Sequence, residues 1–375
     1  MKKGLAVLLA LTMVLALAAC GGGQQSAQTS DAASDAQTSE SAAAETSAQA
    51  GGTLNLFTWE GMFPQEVLDG FTAETGIEIN YSNFDYDETM LAKLEASKGG
   101  DYDLVIADDY IIEAAIAEGL VQPLDTARIS NYANINPIYQ GQFYDPDNAY
   151  TVPYGAGVQT IVYDPSLVSI DIQGYSDLLD PSLAGSIGVI ANYRVINGLA
   201  LKILGESYNT EDVSVIEAAG QKLLQLAPNI RLIKDDNLQD DLLSGEISAA
   251  VMYTSQVTMA MLSNPDLKVV FPKEGLGFGI MANFIPVSAP NADAAYAFID
   301  YILRPEVSAQ CFEWLGYYST NQAADSLIDP AYQEFLTLPE GLSGDNMEMI
   351  QNIGADAVAE HELIWTEFKT AAGQS

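Results

Sequence analysis

From residue 53 onward, short strand-like runs alternate with stretches whose apolar positions recur every three or four residues. TLNLFTW (53–59) gives way after Pro64 to Val67, Leu68 and Phe71 on one helical face, which closes at Gly76. IEINYSNF (77–84) precedes a helix through Met90, Leu91 and Leu94. YDLVIAD (102–108) precedes one carrying Ile111, Ile112, Ala115 and Ile116. A second series begins near residue 185. SIGVI (186–190), IRLIKDD (230–236), SAAVMY (248–253) and LKVVFP (267–272) are expected strands, and Val213, Ile216, Leu223 and Leu224 share a helix face within 212–226. This alternation predicts an α/β fold with mostly parallel sheets. YTVPYGAGVQTIVYD (150–164) is expected to cross from one series to the other, and FGIMANFIPVS (278–288) to carry the chain back. Two α/β lobes joined by more than one crossing strand make a hinged clamshell.

The first 52 residues break this pattern. Lys2 and Lys3 precede an apolar run from Leu5 to Leu17, which ends in Leu17-Ala18-Ala19-Cys20. So short an apolar stretch, with small residues before a cut site, is the pattern of a secretory signal at 1–19. The Leu-Ala-Ala-Cys ending resembles the lipobox of bacterial lipoproteins, which implies that Cys20 is lipidated and becomes the mature N-terminus. Residues 21–52 hold no aromatic residue and no aliphatic residue larger than Ala. They cannot bury enough apolar surface to offset their ordering entropy. Residues 20–52 are therefore expected to form a tether, spanning roughly 30 Å as a flexible coil. The expected address is extracytoplasmic, with the membrane reached through the lipid alone.

Charge narrows the list of partners. The 375-residue chain carries a net charge of −37, and residues 53–375 hold 12 basic and 47 acidic residues. Nucleic acid and anionic lipid are excluded electrostatically, and a cationic ligand is steered favourably. No further apolar stretch reaches membrane-spanning length. Cys20 and Cys311 are the only cysteines, so a lipidated Cys20 leaves no partner for an intrachain disulfide. His361 is the only histidine. With no metal-ligand cluster and no nucleophile–base pair, no catalytic residue, metal or cofactor is expected, and an enzyme is the disfavoured class.

Residues 53–375 resemble the spermidine/putrescine-binding proteins of bacterial ABC importers. The resemblance runs in order through LFTW and the Pro64 helix, FTAETGIEINYSNFDYDETMLAKL (71–94) and YDLVIADDY (102–110). It continues through VPYGAG (152–157), FPKEG (271–275), YILRPEVSAQ (301–310) and GYYSTNQAA (316–324). It implies a type II periplasmic-binding-protein-like clamshell, with a first lobe at 53–158 plus 278–325 and a second at 159–277 plus 326–375. It also implies a monomer that captures a small, cationic solute between the lobes and delivers it to ABC permease subunits.

A polyamine needs carboxylates near its ammonium groups and aromatic faces along its methylenes. By the resemblance, Trp59, Tyr110 and Tyr317 fall on cleft aromatics, Tyr253 stands where a tryptophan is usual, and Gln351 matches a cleft glutamine. Asn192 and Val195 replace two family acids, Met281 replaces a third, and Gly279 replaces a wall tryptophan. Glu60 and Asp108 are gained acids, with Asp109 beside the latter. Asp108 and Asp109 also stand where a helix begins, a position that favours capping. The expected ligand-binding set is thus Trp59, Glu60, Asp108, Tyr110, Asn192, Tyr253, Met281, Tyr317 and Gln351, with its acidic centre moved toward the first lobe. A monoamine, a zwitterion or a neutral solute is the alternative cargo. Ferric ion, suggested by the Tyr317-Tyr318 pair, is a more distant one.

Overall fold

The computed structural model describes residues 52–340, 342 and 346–374. The expected signal at 1–19, Cys20 and the tether up to residue 51 lie outside the described residues.

The expected strands and helices form, with small changes at their ends. In chain order the first elements are β1 (Gly52–Thr58), α1 (Gln65–Thr75), β2 (Ile77–Asn83), α2 (Asp87–Ser97), β3 (Leu104–Asp108) and α3 (Asp109–Ala117). Then come β4 (Thr151–Tyr163), β5 (Ile187–Val189), α4 (Tyr193–Leu204), α5 (Val213–Leu226), β6 (Ile230–Ile233) and α6 (Leu238–Ser244). They are followed by β7 (Ala249–Tyr253), α7 (Thr254–Ser263), β8 (Lys268–Val270), β9 (Leu276–Phe284), α8 (Ala292–Ile302) and α9 (Pro305–Leu315). The chain closes with β10 (Tyr318–Ser319), α10 (Pro330–Gln333), β11 (Met347–Met349) and α11 (Ala355–Ala371).

The strand order is β2-β1-β3-β9-β4-β7-β5-β6, with β10 and β8 also on β4 and β11 on β9. Within each lobe the sequential strands pair in parallel: β1 with β2 and β3, and β5 with β6 and β7. The expectation of mostly parallel sheets needs correcting at the crossing. β9 pairs antiparallel with both β3 and β4, and β4 pairs antiparallel with β7. A strand that leaves one lobe and a strand that returns to it run in opposite senses, so their ladder must be antiparallel. The 13-residue β4 is long enough to serve both lobes: its first half pairs with β9 and its second half with β7 and β8.

Each lobe has its own core. In the first lobe the sheet is covered on both faces, and side chains alternate between them with the period of a strand. Leu54, Leu56, Leu104 and Ile106 enter one apolar cluster with Phe71 and Phe298. Phe57, Val105 and Ala107 enter the opposite one with Met90 and Ile112. In the second lobe Ile187, Val189 and Val251 pack against α4, α5 and the Phe368 side of α11. His361 belongs to this packing. It is fully buried on α11, with Nδ1 3.1 Å from Asn197 Nδ2. Burial, helped by the Arg194 charge, lowers it to about 4, so it is a neutral core side chain. Cys311 is buried in the first-lobe core, and burial pushes its thiol up to about 12. Among the described residues no helix is long and apolar enough to cross a membrane.

Candidate functional site

The carboxyl ends of the strands converge on a cavity of about 850 Å³ whose wall draws on both lobes. Open α/β sheets place ligands at this end. β1 delivers Trp59 and Glu60, β3 delivers Asp108, β7 delivers Tyr253, and the turn before β10 delivers Tyr317. β4 and β9 form the floor through Gly155, Gly157, Gly279 and Met281.

Two floor glycines allow the side chains above them to lie flat. A Cβ on Gly157 would stand 2.8 Å from Tyr317 Cδ1 and 3.0 Å from Thr254 Oγ1, and one on Gly155 would stand 2.8 Å from the Met281 methyl. Thr254 locks this region from the other side: it accepts a hydrogen bond from Val158 N–H at 2.8 Å and donates to Val158 C=O at 3.0 Å. Gly279 is different. A Cβ there meets only Asp109 Oδ2, at 3.7 Å, so the wall is open at the position of the family tryptophan.

Of the residues expected to bind ligand, Trp59, Glu60, Asp108, Tyr110, Asn192, Tyr253, Met281 and Tyr317 all line the cavity. Gln351 does not. Its N–H donates to Asn209 Oδ1 at 2.8 Å and its carbonyl accepts from the Arg194 guanidinium at 3.2 Å, and it is not among the residues of the cavity wall.

The paired acids at the start of α3 divide cleanly. Asp109 is buried and structural: Oδ1 accepts from Tyr110 N–H at 2.8 Å, and Oδ2 accepts from Ile280 N–H at 2.9 Å, tying α3 to β9. Asp108 occupies the cap position but makes no side-chain cap bond, so its carboxylate is left to the cavity. Asn192 does cap, accepting from Val195 N–H at 3.1 Å, while Val195 itself is buried in the second-lobe core. Tyr110 donates to Glu88 Oε1 at 3.1 Å. Tyr317 and Tyr318, as neighbours at a strand, point to opposite sides. Tyr317 lines the cavity and Tyr318 is buried among Ala156, Val158 and Ile280. They cannot act as a paired iron ligand, and no cluster able to hold a metal ion occurs among the described residues.

Sequence reasoning missed several wall residues. Asp85, Asp87, Glu88, Asp235 and Asp236 raise the acidic residues on the wall to eight, against Arg194 and Lys369. Arg194 is buried, with its guanidinium directed at the carbonyls of Gln351 and Tyr208 and at Asn209. The ion pairs among the described residues use other carboxylates throughout. The electrostatic consequence is clear. Burial pushes Asp108 up to about 7, with the charges of Asp235 and Glu88 adding to it. Burial and the Asp108 charge hold Asp87 and Asp109 well above the usual carboxylate range. Asp235 keeps an exposed face in the cleft, yet the protein crowded round it also raises it, against a hydrogen bond from Tyr253. Tyr86 and Trp314 stand at the rim, 62% and 53% exposed, and Trp314 Nε1 donates to Gly61 C=O at 2.7 Å.

Over residues 66–338 the chain matches the family of bacterial extracellular solute-binding proteins. The spermidine/putrescine-binding periplasmic protein of Escherichia coli K12 is 34% identical over 309 residues, which cover 81% of this chain and 88% of that one. A solved structure from Listeria monocytogenes, assigned to spermidine/putrescine ABC transport, has a TM-score of 0.79 at 30% identity and covers 84% of this chain and 98% of its own. The spermidine/putrescine ABC transporter substrate-binding protein of Streptococcus pneumoniae has a TM-score of 0.75 at 29% identity and covers 86% and 99%. The two-lobed α/β architecture, the strand-end cavity and these likenesses agree: the chain belongs to the bacterial extracellular solute-binding protein family.

Proposed function

We propose that this protein captures a polyamine-class amine between its lobes and delivers it to an ABC permease, as an extracytoplasmic lipoprotein anchored through Cys20. The observation that carries the reading is the cleft's set of carboxylates with no ion-pair partner among the described residues. Like charges this crowded resist ionisation, and a cation relieves that resistance. Relatives named for spermidine and putrescine supply the chemical class. The ammonium groups meet Asp108 and Glu60, while Trp59, Tyr110, Tyr253 and Tyr317 flank the methylenes. Asn192 and Met281 complete the wall. The lobes are residues 53–158 plus 278–325 and 159–277 plus 326–375, and they close by hinge motion at the crossing strands. Small-angle scattering tests this directly. Saturating spermidine should reduce the radius of gyration, and an unchanged radius would sink the closing mechanism.

The anchor has its own test. Cys20→Ser should release the protein from the membrane fraction or stall its processing, and undiminished membrane association would remove lipidation from the account.

The floor makes a further demand. Gly157→Ala places a methyl 2.8 Å from the Tyr317 ring. Overpacking of this kind costs about 1–3 kcal/mol, and here the ring that must shift is part of the binding wall. Both melting temperature and spermidine affinity should fall. A variant with lowered stability and unaltered affinity would show that Tyr317 does not contact the ligand.

A further inference from the structure

The second lobe contributes a carboxylate to the cavity that Asp108 also lines. Asp235 follows β6 and lines the cavity. Asp108 ends β3 in the other lobe, with its side chain free of any cap bond. Asp108 and Asp235 line the same cavity from different lobes, and the Asp235 charge helps to raise Asp108. Tyr253 and Tyr317 line the same cavity as the two acids. Neither acid has an ion-pair partner among the described residues.

We infer that Asp108 and Asp235 grip one and the same ammonium group of the solute from opposite lobes, with Tyr253 and Tyr317 against it, so that a single cation joins the lobes. The inference rests on the amine-binding function proposed above and specifies where charge is read. A primary ammonium carries three donors and can serve two carboxylates at once. Two facing carboxylates oppose the approach of the lobes until a cation lies between them. Glu60, Asp85 and Glu88 share the first lobe with Asp108 and so cannot supply the second-lobe half of such a bridge. Asp235 is therefore a specificity-determining residue: it makes tight binding conditional on a charged, unhindered amine head.

Calorimetric titration of putrescine and of 1-aminobutane into the wild-type protein, Asp108→Asn and Asp235→Asn tests the shared grip. A monoamine has one ammonium to offer, so both substitutions should weaken both amines, by roughly tenfold or more. The ligand-free melting temperature of each variant should equal or exceed that of the wild type, because a repulsion is removed and the fold is kept. If either variant holds 1-aminobutane within about twofold of the wild type, the acids read separate ends of the diamine and the inference is overturned. It is overturned too if putrescine binds and 1-aminobutane does not. In both cases amine capture survives. A wild-type protein that binds neither amine would overturn the function and the inference together.

Discussion

Asp108→Asn is expected to weaken spermidine binding by roughly ten- to a hundred-fold, the scale of one hydrogen bond to a charged group. The same change should stabilise the ligand-free protein, and this pairing of opposite effects marks a binding residue that is held under electrostatic stress. The ordinary value for the group is 3.8, and in the folded protein it is pushed up to about 7. Between those values the folded chain keeps a proton that the unfolded chain has released. Raising the pH through this window therefore costs stability, at most about 4 kcal/mol. His361 works in the opposite sense. Burial lowers it from 6.5 to about 4, so it costs stability as pH falls through that window. Comparing variant with wild type at each pH cancels the histidine. The melting-temperature advantage of Asp108→Asn should be small near about pH 4.5 and largest above about pH 7. An advantage that stays constant with pH would mean that Asp108 is not the strained group. Asn192→Ala makes a useful contrast, because its carbonyl is committed to capping α4 and its loss should affect affinity less than loss of Asp108.

Trp59→Ala is the second large effect. Its indole lies on the cavity wall, tilted at 56° against Phe84 with ring centroids 5.0 Å apart, and its carbonyl accepts from Tyr81 Oη at 2.7 Å. Backbone and ring are both fixed, so the face is presented ready-made. A cation held over a desolvated tryptophan is stabilised by about 2 kcal/mol, and its loss corresponds to roughly a thirtyfold fall in spermidine affinity. Trp59→Phe should recover part of this. Equal affinities for wild type and Trp59→Ala would place the ligand away from the first-lobe wall.

Much of the fold was legible because buried strands and amphipathic helices write their periods into the chain. The strand expected at 77–84 became Ile77–Asn83, and the helix expected at 212–226 became Val213–Leu226. The crossing role of 150–164 was legible for the same reason: an apolar run longer than one lobe requires has somewhere else to go. The antiparallel pairing of β9 was not, since it depends on the direction in which a distant segment returns.

The site was legible where a residue ends a strand and less so where it begins a loop. Trp59, Asp108, Tyr253 and Tyr317 stand at or beside strand ends, where the pattern itself stops. Asp235 was absorbed into an expected strand at 230–236, but that strand ends three residues earlier at Ile233, and this turns a strand position into a wall residue. Asp87 and Glu88 form the acidic first turn of α2, and neither was singled out from the sequence. Their second role depends on what lies opposite, and no local pattern records it. Gln351 shows the converse: a residue matched by type alone does not reach the cavity wall.

The central claim is that this cleft takes amines because they are charged. Calorimetric titration of the full chain with putrescine and with 1,4-butanediol, which has the same carbon chain and no charge, tests that claim most directly. The account predicts saturable binding of putrescine and none of the diol. Comparable binding of the two, or no binding of putrescine or spermidine at millimolar concentration, would contradict it.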